Sequence, residues 1–400
     1  MKFIHTSDWH LGQTLYSYDR TDEHLYFFRQ LKDIAITHRP DALLVSGDIF
    51  DVSSPSASSM RMFTDFILDL HDSVPDMTII ITSGNHDSAS RIDVNRNLWK
   101  KTGIHVIGNV RKNDGNYDFS DNMITIPDKG SVLAIPYINR AYMHDESSEK
   151  ERAQEECFFR NASEYVCRVN DEANPCILMA HLTVENCDMT GHRTPEIGNI
   201  NSVKQSIFGH NFDYVALGHI HRAQNLDRTG KIRYSGSPVA IGFDEEYPHT
   251  VSVVEIKKGE PPVVEDIEIY PLRKLKTFPD NPVDFRKAVQ QLAKLPSDDN
   301  SYIRLNVKQE EDLPSDCMEQ ASSATKDKSC RFCIIKFTRP DNPKLDKGNM
   351  SLNISQFSEL EPDDIACRYF RACALPDSQI ERYLSMISQL QNEYAIDKSI

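Results

Sequence analysis

Five short apolar runs, KFIHTS, ALLVS, TIIITS, CILMA and YVAL, each lead directly into side chains of the kinds that bind metals. The blocks are Asp8-Trp9-His10, Gly47-Asp48, Gly84-Asn85-His86-Asp87, His181 and Gly218-His219-Ile220-His221. The runs are short and rich in β-branched residues, which predicts buried strands. Loops at the carboxyl ends of strands in layered α/β folds converge on one crevice, however far apart they lie in sequence. The chain is therefore constrained to a fold that brings these five strand ends together.

Asp, Asn and His offer hard oxygen and borderline nitrogen donors, a mixture suited to Mn²⁺, Fe²⁺ or Zn²⁺ rather than Ca²⁺ or Mg²⁺. If the D-x-H and H-x-H segments are extended, the outer side chains of each share a face, because strand side chains alternate. A carboxylate such as Asp48 can bridge two cations about 3.5–4 Å apart, the spacing that holds the attacking and leaving oxygens of a phosphate displacement. Such a site needs no Ser or Cys nucleophile. His86 stands beside a candidate ligand, and Asp87 is expected to orient its ring and favour the protonated form. A single D-x-H or H-x-H is weak on its own; the signal lies in five blocks together. The other histidines read as surface or hydrogen-bonded structural residues, with His192 set apart because it lies in a long loop after His181.

These blocks, in this order, resemble the calcineurin-like metallophosphoesterases. The strings HTSDWHLGQ, VSGDIFD, GNHDS, LGHIHRAQ and YSGSP, spread over residues 5–238, resemble the SbcD-type subunits of the DNA double-strand-break repair nuclease family. The resemblance implies that Asp8, His10 and His221 hold one metal and Asn85, His181 and His219 a second, with Asp48 between them and His86 contacting the scissile phosphate. It implies two Mn²⁺ ions and ATP-regulated exonuclease and hairpin-cleaving activity on double-stranded DNA. The implied partner is an SbcC-like coiled-coil ATPase, bound by a homodimer within a heterotetramer. Archaeal and eukaryotic relatives carry a histidine where this chain has Asp51, which reads here as a carboxylate supporting a ligand.

Residues 22–38 (Leu25, Phe28, Leu31, Ala35) and 56–71 (Met60, Phe63, Ile67, Leu70) show helical spacing between the strands, and residues 145–170 form a charged helical stretch. This rhythm predicts an α/β layered core. The resemblance sharpens it to a four-layer β-sandwich flanked by helices, over residues 1–275. A Pro-rich, charged stretch around Pro271–Pro282 reads as a hinge. Beyond it, helix VDFRKAVQQLAKL and strands SYIRLNVK and SCRFCIIKF predict a small α+β unit over residues 276–344, which the resemblance makes a cap. Residues 345–400 turn helical, with Ile380, Tyr383, Leu384, Ile387 and Leu390 forming an amphipathic stripe that can dock on a partner or pack on its own chain. The helix at 56–71 is a candidate for dimerisation. Ser235-Gly236-Ser237-Pro238 reads as a tight turn beside the site, structural or in contact with substrate.

The 400 residues suffice for two or three domains. A net charge of −15 argues against indiscriminate nucleic-acid binding by the whole surface, although Arg91, Arg96, Lys100 and Lys101 form a local basic stretch that meets phosphates or simply faces solvent. Nine cysteines at irregular spacing fit reduced thiols, and the lone Cys330-x-x-Cys333 reads as structural, since zinc would need a second pair. No apolar run approaches the roughly 18 residues of a membrane span, and the first strand begins within two residues of Met1. A cytoplasmic location follows as the expectation. Two further readings stay open: a phosphodiesterase or phosphatase with a non-DNA substrate, and a scaffold whose metal site is structural.

Overall fold

A computed structural model of the chain describes residues 1–138, 148–170, 173–191, 202–308, 313–338, 366, 370 and 379–386. Two six-stranded sheets pack face to face. In the first, strands Lys2–Thr6, Ala42–Ser46, Thr78–Thr82 and Ile104–Ile107 run parallel, and antiparallel strands Thr250–Glu255 and Val263–Glu268 extend one edge. In the second, Gly130–Ala134, Cys176–His181, Tyr214–Gly218 and Ile232–Tyr234 are the parallel strands. Strands covered on both faces are near-continuously apolar, which is why these segments show runs rather than alternation. Register aligns the strand ends: Thr6 pairs with Val45, Ser46 with Thr82, and His181 with Gly218. All five ligand-bearing loops consequently leave from one edge of the sandwich.

Phe3, Leu44, Ile80, Val132, Ile177 and Tyr214 fill the space between the sheets. Helices Thr21–His38 and Ala57–Ser73 cover the outer face of the first sheet, and helix Ser148–Val169 packs over the second through Phe158, Phe159 and Ala162. The four layers are thus helix, sheet, sheet, helix. The buried stripe of the first helix runs through His24, Phe27, Phe28, Leu31 and Ala35, and Leu25 is exposed. His24 takes the inward position because its Nε2 lies 3.1 Å from the Trp9 carbonyl oxygen, and burial lowers its pKa to about 3, so a neutral ring donates that bond. In the second helix Met60 likewise faces out, while Phe63, Ile67 and Leu70 face in. Ser56 caps its start, accepting from the Ser59 N–H at 3.1 Å.

A third sheet of parallel strands Leu275–Val283, Tyr302–Lys308 and Arg331–Thr338 carries helices Phe285–Ala293 and Cys317–Ser323 around its own apolar core. The stretch expected to be a hinge is thus largely strand. Its prolines are tolerated because the strand lies at a sheet edge, and its pairing breaks between Phe278 and Val283, where Pro279 and Pro282 fall. The sheet seats on the sandwich through Tyr302 and Cys333 against Leu15 and Phe243. Tyr302 Oη donates to Glu23 at 2.7 Å. Burial pushes the Cys333 thiol up to about 12, in keeping with a structural role. Of the amphipathic C-terminal stripe, Ile380, Tyr383 and Leu384 are described, with Ile380 buried and Tyr383 exposed, and Ile387 and Leu390 lie outside the described residues. Among those described, no helix is long and apolar enough to cross a membrane.

Trp9, between Asp8 and His10, is fully buried with its ring edge-on to Phe27, Phe28 and Phe66 at centroid distances of 5.7, 5.3 and 6.0 Å. It anchors the first ligand loop into the helical layer. Trp9→Ala is expected to lower unfolding stability by about 3–5 kcal/mol, read from the urea midpoint, because it removes the largest side chain of this cluster and leaves a cavity.

Candidate metal centre

The strand ends bring every ligand candidate into one crevice. Asp8, His10 and His221 form one group with ligand atoms within 4.8 Å of one another, and Asp48, His181 and His219 form another. Asn85 Oδ1 lies 2.9 Å from both His181 Nε2 and His219 Nδ1. Asp48 lies between the groups: its Oδ2 is 3.3 Å from His181 Nε2 and 3.8 Å from His10 Nε2. Its Oδ1 accepts the His86 N–H at 2.8 Å.

The supporting contacts settle which ring atom faces the crevice. His181 Nδ1 lies 2.8 Å from the Ser46 carbonyl, so Nδ1–H donates there and Nε2 is the atom that faces Asp48 and Asn85, protonated toward their oxygens without metal and free to ligate once neutral. His221 Nδ1 lies 2.8 Å from Glu245 Oε1, leaving its Nε2 for the crevice. Asp8 accepts the His219 N–H at 3.0 and 3.1 Å. Gly84 admits no side chain, since a Cβ would come within 2.1 Å of Asp48 Oδ1; at Gly218 it would come within 1.8 Å of the Ser46 carbonyl oxygen. Both glycines let backbone approach a ligand.

The ligand pairs are not on extended backbone. Asp8, His10, Asp48 and His219 all have left-handed φ, between 47° and 104°. Strand alternation, the sequence-based reason for their shared face, therefore does not apply: the chain turns sharply so that Trp9 can enter the core while its neighbours face the crevice. The expectation that Asp87 orients His86 also fails. Asp87 is buried and accepts the backbone N–H groups of Gly84, Ile49 and Phe50 at 2.8, 3.0 and 2.9 Å, tying the second and third loops together. His86 is oriented instead by the Asp51 carbonyl oxygen, 2.8 Å from its Nδ1. The Asp51 carboxylate stands 3.5 Å from His10 Nδ1.

Sequence reasoning missed Glu245, which has no motif spacing to the ligands and lies 24 residues after His221. Ser235 and Ser237 are buried rather than open to substrate, and the Ser237 N–H donates to the His221 carbonyl at 2.9 Å, so the turn supports the ligand loop. In the basic stretch, Arg96 donates to the Asp121 carbonyl and is buried, whereas Arg91, Lys100 and Lys101 face solvent. His192 lies outside the described residues.

The donor set fits a divalent cation. His10 is buried, yet neither of its ring nitrogens has a hydrogen-bond partner among the described residues. A buried, unpaired polar group of this kind is costly and calls for a ligand. Burial alone would lower the pKa of His10, but the carboxylates of Asp51, Asp48 and Asp8 outweigh it and raise it to about 9. His181 is likewise raised to about 9, burial being overcome chiefly by Asp48. Burial would raise the Asp48 pKa, and the imidazoles of His181, His10 and His86 outweigh that and hold it well below the ordinary carboxylate range.

Three expectations follow. In the metal-free protein the two raised histidines stabilise the fold fully below their ordinary pKa of 6.5, and that contribution is lost as pH rises through about 9. Cation binding requires neutral imidazoles, so loading between these limits releases protons, and affinity rises with pH. Calorimetric titration in buffers of different ionisation enthalpy will show proton release at neutral pH; a buffer-independent heat would contradict it. Asp87→Asn keeps the shape but turns an NH₂ group toward a backbone donor, and is expected to cost about 1–3 kcal/mol in denaturant unfolding.

Comparison with known proteins agrees with this geometry. Residues 1–223 match the Calcineurin-like phosphoesterase family. The SbcD subunit of the SbcCD nuclease from Rhodobacter capsulatus is 33% identical over 276 residues, covering 66% of this chain and 68% of that protein. Its Escherichia coli K12 counterpart is 30% identical over 267 residues, 63% of this chain and 65% of the relative. The Bacillus subtilis counterpart is 31% identical over 273 residues, 65% and 67% of the respective chains. A family match over more than half the chain, on a crevice of His and Asp side chains suited to a divalent metal, has one reading: the chain belongs to the calcineurin-like phosphoesterases, with the SbcD-type nuclease subunits as its relatives, and is a metal-dependent phosphodiester hydrolase.

Proposed function

We propose that this chain is an SbcD-type DNA nuclease subunit that hydrolyses phosphodiesters with two metal ions, Mn²⁺ as the family resemblance implies. The observation that carries the reading is Asp48, whose Oδ2 lies 3.3 Å from His181 Nε2 of one ligand group and 3.8 Å from His10 Nε2 of the other. Asp8, His10 and His221 would hold one ion and Asn85, His181 and His219 the other, with Asp48 shared. When bound, such a pair supplies a nucleophilic water deprotonated near neutral pH and offsets charge on the phosphate.

The protein's own groups do the rest. His86 is exposed at the mouth of the crevice, and its Nδ1–H is committed to the Asp51 carbonyl. Its Nε2 is then the atom that meets the scissile phosphate; only in the protonated ring does it carry a hydrogen, which it donates to a phosphoryl oxygen or passes to the leaving oxygen as the P–O bond breaks. Asp87 acts at one remove, by fixing the loop that carries His86. The seating of the third sheet beside the first ligand loop favours a large substrate over a small one, because it extends the surface around the crevice.

The complete reading is an ATP-regulated exonuclease and hairpin-cleaving endonuclease of the cytoplasm, serving DNA repair, replication and recombination. It would act as a homodimer with an SbcC-like coiled-coil ATPase. Helix Ala57–Ser73, with exposed Met60 and Leu68, is offered for dimer contact, and residues 345–400 for the ATPase. Purified chain with Mn²⁺ and that ATPase is expected to cleave end-labelled linear and hairpin DNA, and His86→Ala to slow cleavage by about 10²–10⁴-fold. Intact DNA under these conditions, with turnover of a small chromogenic diester, would reverse the reading in favour of a non-DNA phosphodiesterase or phosphatase.

A further inference from the structure

Glu245 is almost fully buried and divides its carboxylate between two tasks. Oε1 accepts from His221 Nδ1 at 2.8 Å, and Oε2 accepts the Ile241 N–H at 2.8 Å. His249 Nε2 stands 3.7 Å from the same Oε2, while His249 Nδ1 donates to the Ser237 carbonyl at 2.7 Å. One carboxylate thus orients a candidate ligand and holds the loop on which it sits.

The two residues before Glu245 are gripped by the third sheet. Arg304, on the central strand of that sheet, is 7% exposed. Its Nη1 donates to Asp244, its Nη2 to the Phe243 carbonyl at 3.2 Å, and its Nε to Thr277 Oγ1 of the adjacent strand at 3.0 Å. The guanidinium carbon also lies 5.2 Å from the centre of the Phe243 ring. From the sandwich side, Arg20 donates to the Ala240 carbonyl and Gln13 Nε2 to the Ile241 carbonyl at 3.1 Å. Segment 240–245 is therefore clamped between sheet and sandwich, with the His221 contact at its end.

We propose that Glu245 is the positioning residue for His221, and that Arg304 sets the loop bearing Glu245, so that the seating of the third sheet tunes how tightly the cation of the Asp8, His10 and His221 group is held. This rests on the reading of those three residues as metal ligands. A carboxylate on the far nitrogen of a ligating imidazole fixes its tautomer and ring direction and makes it more basic; removing such partners typically costs about 10–100-fold in metal affinity. Arg304 bonds to none of the three ligand candidates, so its effect on them must pass through Phe243, Asp244 and Glu245. The third sheet is then part of the metal site's construction as well as a surface beside it.

The test is Mn²⁺ binding by the full chain, followed by calorimetry and by the electron paramagnetic resonance signal of free Mn²⁺. Thermal midpoints of the metal-free proteins are recorded alongside. The wild type is expected to bind two ions. Glu245→Ala should weaken one of them by about 10–100-fold and leave the other unchanged. Glu245→Gln, which retains an oxygen for Nδ1–H, should recover part of the loss. Arg304→Gln should weaken the same ion, and the double variant Arg304→Gln/Glu245→Ala should be no weaker than Glu245→Ala alone, since residues acting through one contact are not additive. Asp244→Ala, at a more exposed side chain, repeats the Arg304 arm if Arg304→Gln lowers the metal-free midpoint.

A wild type that binds no Mn²⁺ overturns both the two-metal reading and this inference. Two ions in the wild type with unchanged affinity in Glu245→Ala overturn the positioning role alone. An additive double variant, or weakened binding in Glu245→Ala with none in Arg304→Gln and Asp244→Ala, overturns the link to the third sheet.

Discussion

Asp8, His10, Asp48 and His181 are each at most 2% exposed, and burying ionisable groups in this way is tolerable only if something compensates them. Much of the surrounding structure supplies compensation. The Ser46 carbonyl, the N–H groups of His86 and His219 and the side chain of Asn85 each meet one of these groups or its neighbour. What remains, notably His10 Nε2, is left for a cation, while Asp51 faces the other ring nitrogen at 3.5 Å. The left-handed backbone at four ligand positions adds strain of about 1–3 kcal/mol each. Such strain persists only where packing overdetermines the conformation, and Trp9 locked among Phe27, Phe28 and Phe66 does so for the first loop.

The sandwich and the crevice depend on one another through register. Because the parallel strands of each sheet end nearly flush, loops far apart in the chain come within hydrogen-bonding distance. Asp8 accepting from His219, across 211 positions, is the clearest case. The same edge lets Asp87 tie the loops after Ala42–Ser46 and Thr78–Thr82 together by three backbone donors. A carboxylate that looks catalytic by its place beside His86 is thus spent on holding the crevice in shape, and the Asp51 main chain orients the imidazole.

Much of the layered core could be read directly from residue pattern. Apolar runs without alternation mean strands covered on both faces, and Phe28, Leu31 and Ala35, or Phe63, Ile67 and Leu70, mark helix faces that do point inward. The readings that failed share one cause. Leu25 and Met60 fit the helical period but fall at the margins of their stripes, where tertiary contact decides. The prolines of 271–282 suggested a linker, yet an edge strand with broken pairing accommodates them. Glu245 was invisible because its partner is distant in sequence and one glutamate among many carries no signal.

By itself, the sequence determined the inventory of the candidate site: seven ligand-type side chains at the ends of five buried strands, with His86 beside them, because hydrophobic runs and adjacent donors are local properties. Only the tertiary structure decided how they work together. It turned the ligand loops through left-handed backbone, chose which imidazole nitrogen faces the crevice, gave Asp87 to the main chain and Glu245 to His221, and laid the third sheet against the loop between them. Those choices depend on hydrogen bonds and packing between segments far apart in the chain, where the order of residues has no direct say.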